Sequence, residues 1–149
     1  MKLNPIRHNI EGQRLIVVDD SIVRGTTTRA IVEMLRAAGA AEVHLRISSP
    51  PYRWPCFYGM DTGTKAELLA ADLTMDEIRE YLGVNSIAYL ELDRLIDATG
   101  APGAGFCTAC LDGQYPVAIP QGLDREVLGE RRDEPGTTFV SVSQMKLGQ

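Results

Sequence analysis

Residues 14–35 read RLIVVDDSIVRGTTTRAIVEML, and the order of residue types in this stretch decides the fold. Leu15, Ile16, Val17 and Val18 are apolar on both phases of a two-residue period. That pattern suits a central strand of a parallel sheet, buried on both faces, better than a half-exposed one. Asp19 and Asp20 stand at its carboxyl end. After the SIVRGTTT connection, Ile31, Met34, Leu35 and Ala38 recur at helical spacing, and Gly39 closes the segment as a stop residue. Val43, Leu45 and Ile47 then alternate with His44, Arg46 and Ser48, a plain strand pattern. Strand, helix and strand over about 35 residues make a βαβ unit, so the fold class is α/β, a parallel sheet with flanking helices.

The connection between the first strand and the helix carries chemistry. In an open α/β sheet, ligands sit beyond the carboxyl ends of the strands, where Asp19 and Asp20 fall. Carboxylates accept hydrogen bonds from vicinal hydroxyls and hold Mg²⁺ directly or through water. Ser21, Arg24, Gly25, Thr26, Thr27 and Thr28 supply hydroxyls, a guanidinium and the free amides of a helix start, which together suit an anion. A phosphorylated sugar satisfies both halves. The plainer alternative is a helix start capped by Thr and Asp with no ligand. Neither the phosphate-loop pattern G-x-x-x-x-G-K-[ST] nor the dinucleotide pattern G-x-G-x-x-G is present.

The remaining sequence bounds these possibilities. The 149 residues suit one domain, and 44% hydrophobic residues are enough for a core. With 15 Lys and Arg against 20 Asp and Glu, the net charge of −5 argues against nucleic-acid binding through a broad basic surface. No apolar run is long enough to span a bilayer and no leader pattern opens the chain, so a cytoplasmic protein without membrane partners is expected.

Residues 1–13 read as a lead-in and residues 48–64, SSPPYRWPCFYGMDTGT, as a long aromatic loop. Thr74 and Glu77 form a capping-box pattern ahead of Ile78 and Leu82, with Gly83 as the stop. SIAYL at 86–90 suits a short strand, and ELDRLIDATG at 91–100 a short helix. The stretch from Gly100 to Gly122 is turn-rich. Two divisions are expected: 1–120 as the folded portion and 121–149 as a charged and polar tail.

The 3 cysteines are Cys56 in the aromatic loop and the pair Cys107 and Cys110 in the turn-rich stretch. C-x-x-C suits a redox pair, half of a zinc site or two ligands of an iron–sulfur cluster. Its setting in Gly/Pro-rich sequence disfavours a thioredoxin-like redox pair, and metal ligation is the better reading. Sulfur ligation does not choose between zinc and iron–sulfur.

Asp19-Asp20-Ser-Ile-Val-Arg-Gly-Thr-Thr resembles the phosphoribosyl diphosphate (PRPP) binding motif of type I phosphoribosyltransferases. The wording VVDDSIVRGTTT, with KLNPIR, RISSPPYRWPCFYGMDT and FCTACLDGQYP, is similar to the amidophosphoribosyltransferase family across most of residues 2–120. The resemblance implies the carboxyl-terminal portion of the type I phosphoribosyltransferase fold. It also implies an enzyme that transfers glutamine-derived ammonia to PRPP, giving 5-phosphoribosylamine in the first step of de novo purine synthesis.

On that resemblance, Asp19 and Asp20 meet the ribose hydroxyls and Mg²⁺, while Arg24, Gly25, Thr26 and Thr27, flanked by Ser21 and Thr28, hold the 5′-phosphate. Cys56, Cys107 and Cys110 correspond to ligands of a 4Fe–4S cluster found in one branch of the family, whose fourth ligand has no counterpart here. The resemblance further implies purine nucleotides as ligands and a homo-oligomer at full length. It makes this chain the carboxyl-terminal piece of a longer enzyme, inactive alone.

Two rival functions remain open at this point. A nucleobase phosphoribosyltransferase would keep the acidic pair and the Thr loop but has no need of the cysteines. A non-enzymatic nucleotide-binding module would bind without turnover. Among smaller signals, His44 and His8 read as exposed or rim residues. Trp54, Phe57 and Tyr58 could pack over a ligand but read more readily as loop anchors, Asp61 reads as a nucleotide-site or turn-capping carboxylate, and the EIREY and RRDE charges as solvated faces.

Overall fold

Three parallel strands form where the sequence pattern is most regular, in the order β1 (Arg14–Asp19), β2 (Glu42–Ile47), β3 (Ser86–Tyr89). The computed structural model describes residues 5–60, 62, 64–101 and 105–119. The expected tail, 121–149, and Asp61 lie outside the described residues. Between the strands run α1 (Thr26–Ala37), α2 (Leu69–Asp72) and α3 (Met75–Leu82). After β3 come α4 (Leu92–Ala98) and α5 (Ala109–Asp112). Single 3-10 turns occupy Arg7–Asn9 and Lys65–Glu67.

The register pairs Ile16 with His44 and Val18 with Arg46, then His44 with Ser86 and Arg46 with Ala88. Because side chains alternate across a strand, these residues share one face of the sheet and Val17, Leu45 and Ile87 share the other. The second face is the core. Val43 and Leu45 are fully buried there with Ile47, against Val32 of α1 and Ile78 and Leu82 of α3. Burying each such side chain contributes about 1.5–3 kcal/mol.

The first face corrects an expectation. β1 ends the described sheet, and Ile16 and Val18 are 69% and 71% exposed. Both described crossover layers sit on the core side, so the continuous apolar run is half buried here. The sequence pattern of a strand covered on both faces is met on one face alone.

The helix boundaries follow their local chemistry. Thr74 Oγ1 accepts from Glu77 N at 3.4 Å, and a Glu77 carboxylate oxygen accepts from Thr74 N at 2.7 Å, the reciprocal cap expected from the sequence. The same contacts hold the Glu77 carboxyl below its ordinary range, chiefly the Thr74 backbone N–H. Gly83 ends α3 in the left-handed region, at φ 69°. No helix among the described residues is long and apolar enough to cross a membrane.

Candidate sugar and phosphate site

The connection of residues 20–25 leaves the carboxyl end of β1 and enters α1. Ile22, 2% exposed, anchors it in the core. Asp19 closes β1, and its carbonyl accepts from Ser48 N at 2.9 Å and Ser48 Oγ at 3.1 Å. The carboxyl ends of β1 and β2 are thereby tied together. The Asp19 carboxylate accepts from Asp20 N at 3.0 Å, and Asp20 accepts from Ser21 Oγ at 3.3 Å. Neither carboxylate enters an ion pair among the described residues. Both keep acceptor capacity for an incoming hydroxyl or cation.

The start of α1 departs from an ordinary capped helix. Its N-cap is Gly25, left-handed at φ 75°, and no side chain caps it. The alternative of a helix start capped by Thr or Asp is therefore not what forms. Among the described residues the amides of Thr26, Thr27 and Thr28 have no acceptor, while Arg29 N bonds to Gly25 O at 2.8 Å. Free first-turn amides of a 12-residue helix favour a negative group. Thr28 is buried, whereas Thr26 and Thr27 present their hydroxyls to solvent.

Gly25 is required twice over. Its backbone lies where L side chains are strained, and an added Cβ would come 2.8 Å from Leu69 Cδ2 and 3.2 Å from Tyr81 Cε1. Leu69 also donates its N–H to Val23 O at 2.9 Å. Arg24 turns its guanidinium to Glu67, with Nε and Nη2 each 2.7 Å from the same carboxylate oxygen. Glu67 and Leu69 escaped the sequence reading, although T-K-A-E at 64–67 is itself a capping-box pattern and caps the Lys65–Glu67 turn.

Tyr52 was also missed. It is half-buried, and its phenol is pushed up by burial first, then by the negative charges of Cys110, Asp20 and Cys56. The loop after β2 therefore stands within electrostatic reach of Asp20 and of Cys56 and Cys110.

That loop is stitched to the segment around α5. Arg53 N and Trp54 N donate to Cys110 O at 3.1 and 3.2 Å, and Tyr115 Oη donates to Pro55 O at 2.6 Å. The Phe57 and Tyr115 rings meet edge to face at 5.2 Å, and Tyr58 Oη donates to Val117 O at 3.1 Å. Trp54 packs under Lys65 and against Gly113. The aromatics are anchors, as expected.

Burial raises the Cys110 thiol, with Cys56 and then Cys107 adding to the rise, so the three expected ligands lie in one neighbourhood. Even so, no group of three or more His, Cys, Asp or Glu among the described residues is arranged to hold a metal ion. The thiols are free.

His44 belongs elsewhere. It is half-buried on the outer sheet face, 2.8 Å from Ser86 Oγ and 2.8 Å from Glu42. Glu42 is in turn held low, by Arg14 first and His44 second. His44 is thus better partnered than a rim residue. His8 is exposed.

No family model matches the chain. Curated relatives do. An amidophosphoribosyltransferase of Synechococcus elongatus is 52% identical over 128 residues, covering 86% of this chain and 26% of the relative. One from Methanothermobacter thermautotrophicus is 47% identical over 123 residues, covering 83% of this chain and 26% of the relative. Among solved structures, the glutamine PRPP amidotransferase of B. subtilis complexed with ADP and GMP superposes with a TM-score of 0.75 at 48% identity, covering 82% of this chain and 28% of that one. The chain spans about a quarter of the length of these proteins, within their carboxyl-terminal part.

Proposed function

We propose, from the premise that this chain is homologous to the carboxyl-terminal part of the amidophosphoribosyltransferases, that it contributes the ribose 5-phosphate half of a PRPP site. The observation that carries this reading is the uncapped start of α1 behind a left-handed Gly25, next to two carboxylates without cationic partners. The 5′-phosphate takes the amides and hydroxyls of Thr26 and Thr27, with Ser21, Gly25 and Thr28 shaping the turn. Asp19 and Asp20 take the ribose hydroxyls.

The donor set also suits Mg²⁺, which accepts one or two carboxylates together with substrate oxygens. Asp19 and Asp20 would hold it, and when bound it would neutralise charge on the diphosphate. This chain's residues orient the sugar, so that C1′ is presented in one geometry to its attacking and leaving groups. Such fixation lowers the barrier by removing orientational entropy. Two carboxylates near the ring also favour the positive charge that develops on the sugar as the diphosphate departs.

In the whole enzyme the reaction would be transfer of glutamine-derived ammonia to PRPP, giving 5-phosphoribosylamine. The B. subtilis protein's complex with ADP and GMP supports purine nucleotides as further ligands of this chain. A 4Fe–4S cluster has no part in the proposal, because among the described residues Cys56, Cys107 and Cys110 are not arranged as a metal group.

The test is calorimetric titration with AMP, with and without Mg²⁺, using adenosine as the phosphate-free control. AMP should bind and adenosine should not. Asp20→Asn should weaken binding and Gly25→Val should abolish it. Equal binding of AMP and adenosine, or AMP binding that survives Gly25→Val, would refute the assignment.

A further inference from the structure

The phosphate-loop reading leaves one cluster unused: the segment from Thr64 to Leu69, most of which no sequence pattern assigned to an element. It holds residues 23–25 at three points. Outside, Glu67 receives Nε and Nη2 of Arg24 at 2.7 Å each. At the backbone, Leu69 N–H donates to Val23 O at 2.9 Å. Inside, the Leu69 side chain lies under Gly25, with Cδ2 2.8 Å from the position a Cβ would take. Glu67 is itself fixed, since it closes the capping box of its own turn with Thr64.

We propose that Glu67 is a positioning residue for the anion loop. It draws the Arg24 guanidinium outward and thereby orients the backbone of residues 24–28, so that the first-turn amides of α1 face the phosphate before it arrives. This inference rests on the anion-loop assignment and adds to it a residue far along the chain. It also assigns Arg24 a role. The guanidinium's Nε already donates to Glu67 and its Nη2 lies 2.7 Å from the same oxygen, so Arg24 contributes through its backbone and through this ion pair, while the threonine amides and hydroxyls receive the anion.

Charge repulsion argues that Glu67 is no phosphate ligand, and the pair with Arg24 explains why a carboxylate is tolerated beside an anion site. Its carboxyl is held below the ordinary range by Arg24 first and by the Thr64 backbone second. It is therefore ionised at neutral pH and serves as the acceptor the brace requires. Both partners are 44% exposed, so the brace is of surface strength and its effect is graded.

The experiment uses the 149-residue chain in four forms: wild type, Glu67→Gln, Arg24→Glu, and the charge-swapped double variant Arg24→Glu/Glu67→Arg. Two readouts are taken: hydrogen exchange without ligand at the hydrogen-bonded amides that anchor the anion loop, Leu69 N–H to Val23 O and Arg29 N–H to Gly25 O, and calorimetric titration with AMP. Glu67→Gln should speed exchange at those amides and weaken AMP binding by about two- to fivefold, the range an exposed ion pair supports. Arg24→Glu should do at least as much. The swapped pair should recover most of both losses.

Failure of the swap to recover exchange would overturn the positioning role, as would unchanged exchange in Glu67→Gln. Tighter AMP binding in Glu67→Gln would overturn it too, by making Glu67 a competitor for Arg24 and not its support. If wild type binds no AMP, the anion-site assignment falls. Hydrogen exchange still tests the brace in that case, so the two failures are told apart.

Discussion

Replacing Gly25 with alanine tests the architecture of the site most directly, because the geometry supplies two separable costs. The φ of 75° places an L residue in the left-handed region, at roughly 1–2 kcal/mol. The new Cβ would also lie 2.8 Å from Leu69 Cδ2, with Tyr81 Cε1 at 3.2 Å and Leu82 Cδ2 at 3.5 Å closing the room into which Leu69 could turn. Overpacking of that kind costs about 1–2 kcal/mol. The expected loss is about 2–4 kcal/mol, seen as a fall in Tm of roughly 5–15 °C for a chain of this size.

Two further variants separate the costs. Gly25→Asn keeps the Cβ contact but tolerates the left-handed backbone, so it should be less destabilising than alanine. In Gly25→Ala combined with Leu69→Ala the contact is gone, and the cycle should show about 1–2 kcal/mol of favourable coupling. Thermal unfolding and AMP titration are the assays. A Gly25→Ala protein within about 0.5 kcal/mol of wild type, binding AMP normally, would refute the claim that this glycine sets the site.

Other consequences follow from the packing and the charges. Among the described residues the buried hydroxyl of Tyr89 has no hydrogen-bond partner, and burial pushes its phenol up to about 12. Tyr89→Phe should therefore keep or raise stability, by up to about 1–3 kcal/mol; a clear loss in thermal unfolding would show that the hydroxyl is satisfied in solution. Gly113 sits at φ 76° with its Cβ position 2.8 Å from Trp54 Cε2, so Gly113→Ala should shift the fluorescence of the chain's 1 tryptophan by forcing the indole from its place. An unchanged spectrum would contradict that contact.

Glu77 has its pKa lowered in the fold, so its contribution is present above the ordinary value of 4.5 and is lost as pH falls through the folded value. Tm measured between about pH 6 and 3 should fall less steeply for Glu77→Gln than for wild type; parallel curves would refute the cap's role. In the described fold Ile16 is 69% exposed and Val43 is fully buried. Ile16→Thr should thus change unfolding by less than about 0.5 kcal/mol, against about 2–3 for Val43→Ala, and comparable losses would mean that the outer face is covered in solution.

Local sequence rules determined much of this protein. The two-residue period of β2, the helical spacing after Thr26, the Thr74–Glu77 cap and the Gly83 stop each depend on neighbours within a few positions, so they were legible directly. The acidic pair and the threonine loop were legible for the same reason: their chemistry lies in one connection. The Arg7–Asn9 turn and the helical pieces at Lys65–Asp72 were not picked out, because a single turn is too short to show a helical period.

Tertiary structure decided the rest. The continuous apolar run of β1 says that a strand can be covered on both faces, but which faces are covered depends on layers from elsewhere. In the described fold, Ile16 and Val18 face solvent. The same holds for one of His44's partners: Glu42 lies two residues away on the same strand, but Ser86 meets His44 only through the alignment of β2 with β3. Glu67 and Leu69 reach the anion loop from more than forty positions away, and no local pattern around Arg24 or Gly25 announces them. The sequence names the groups that could greet a phosphate; the packing of the Thr64–Leu69 segment fixes the backbone that presents them.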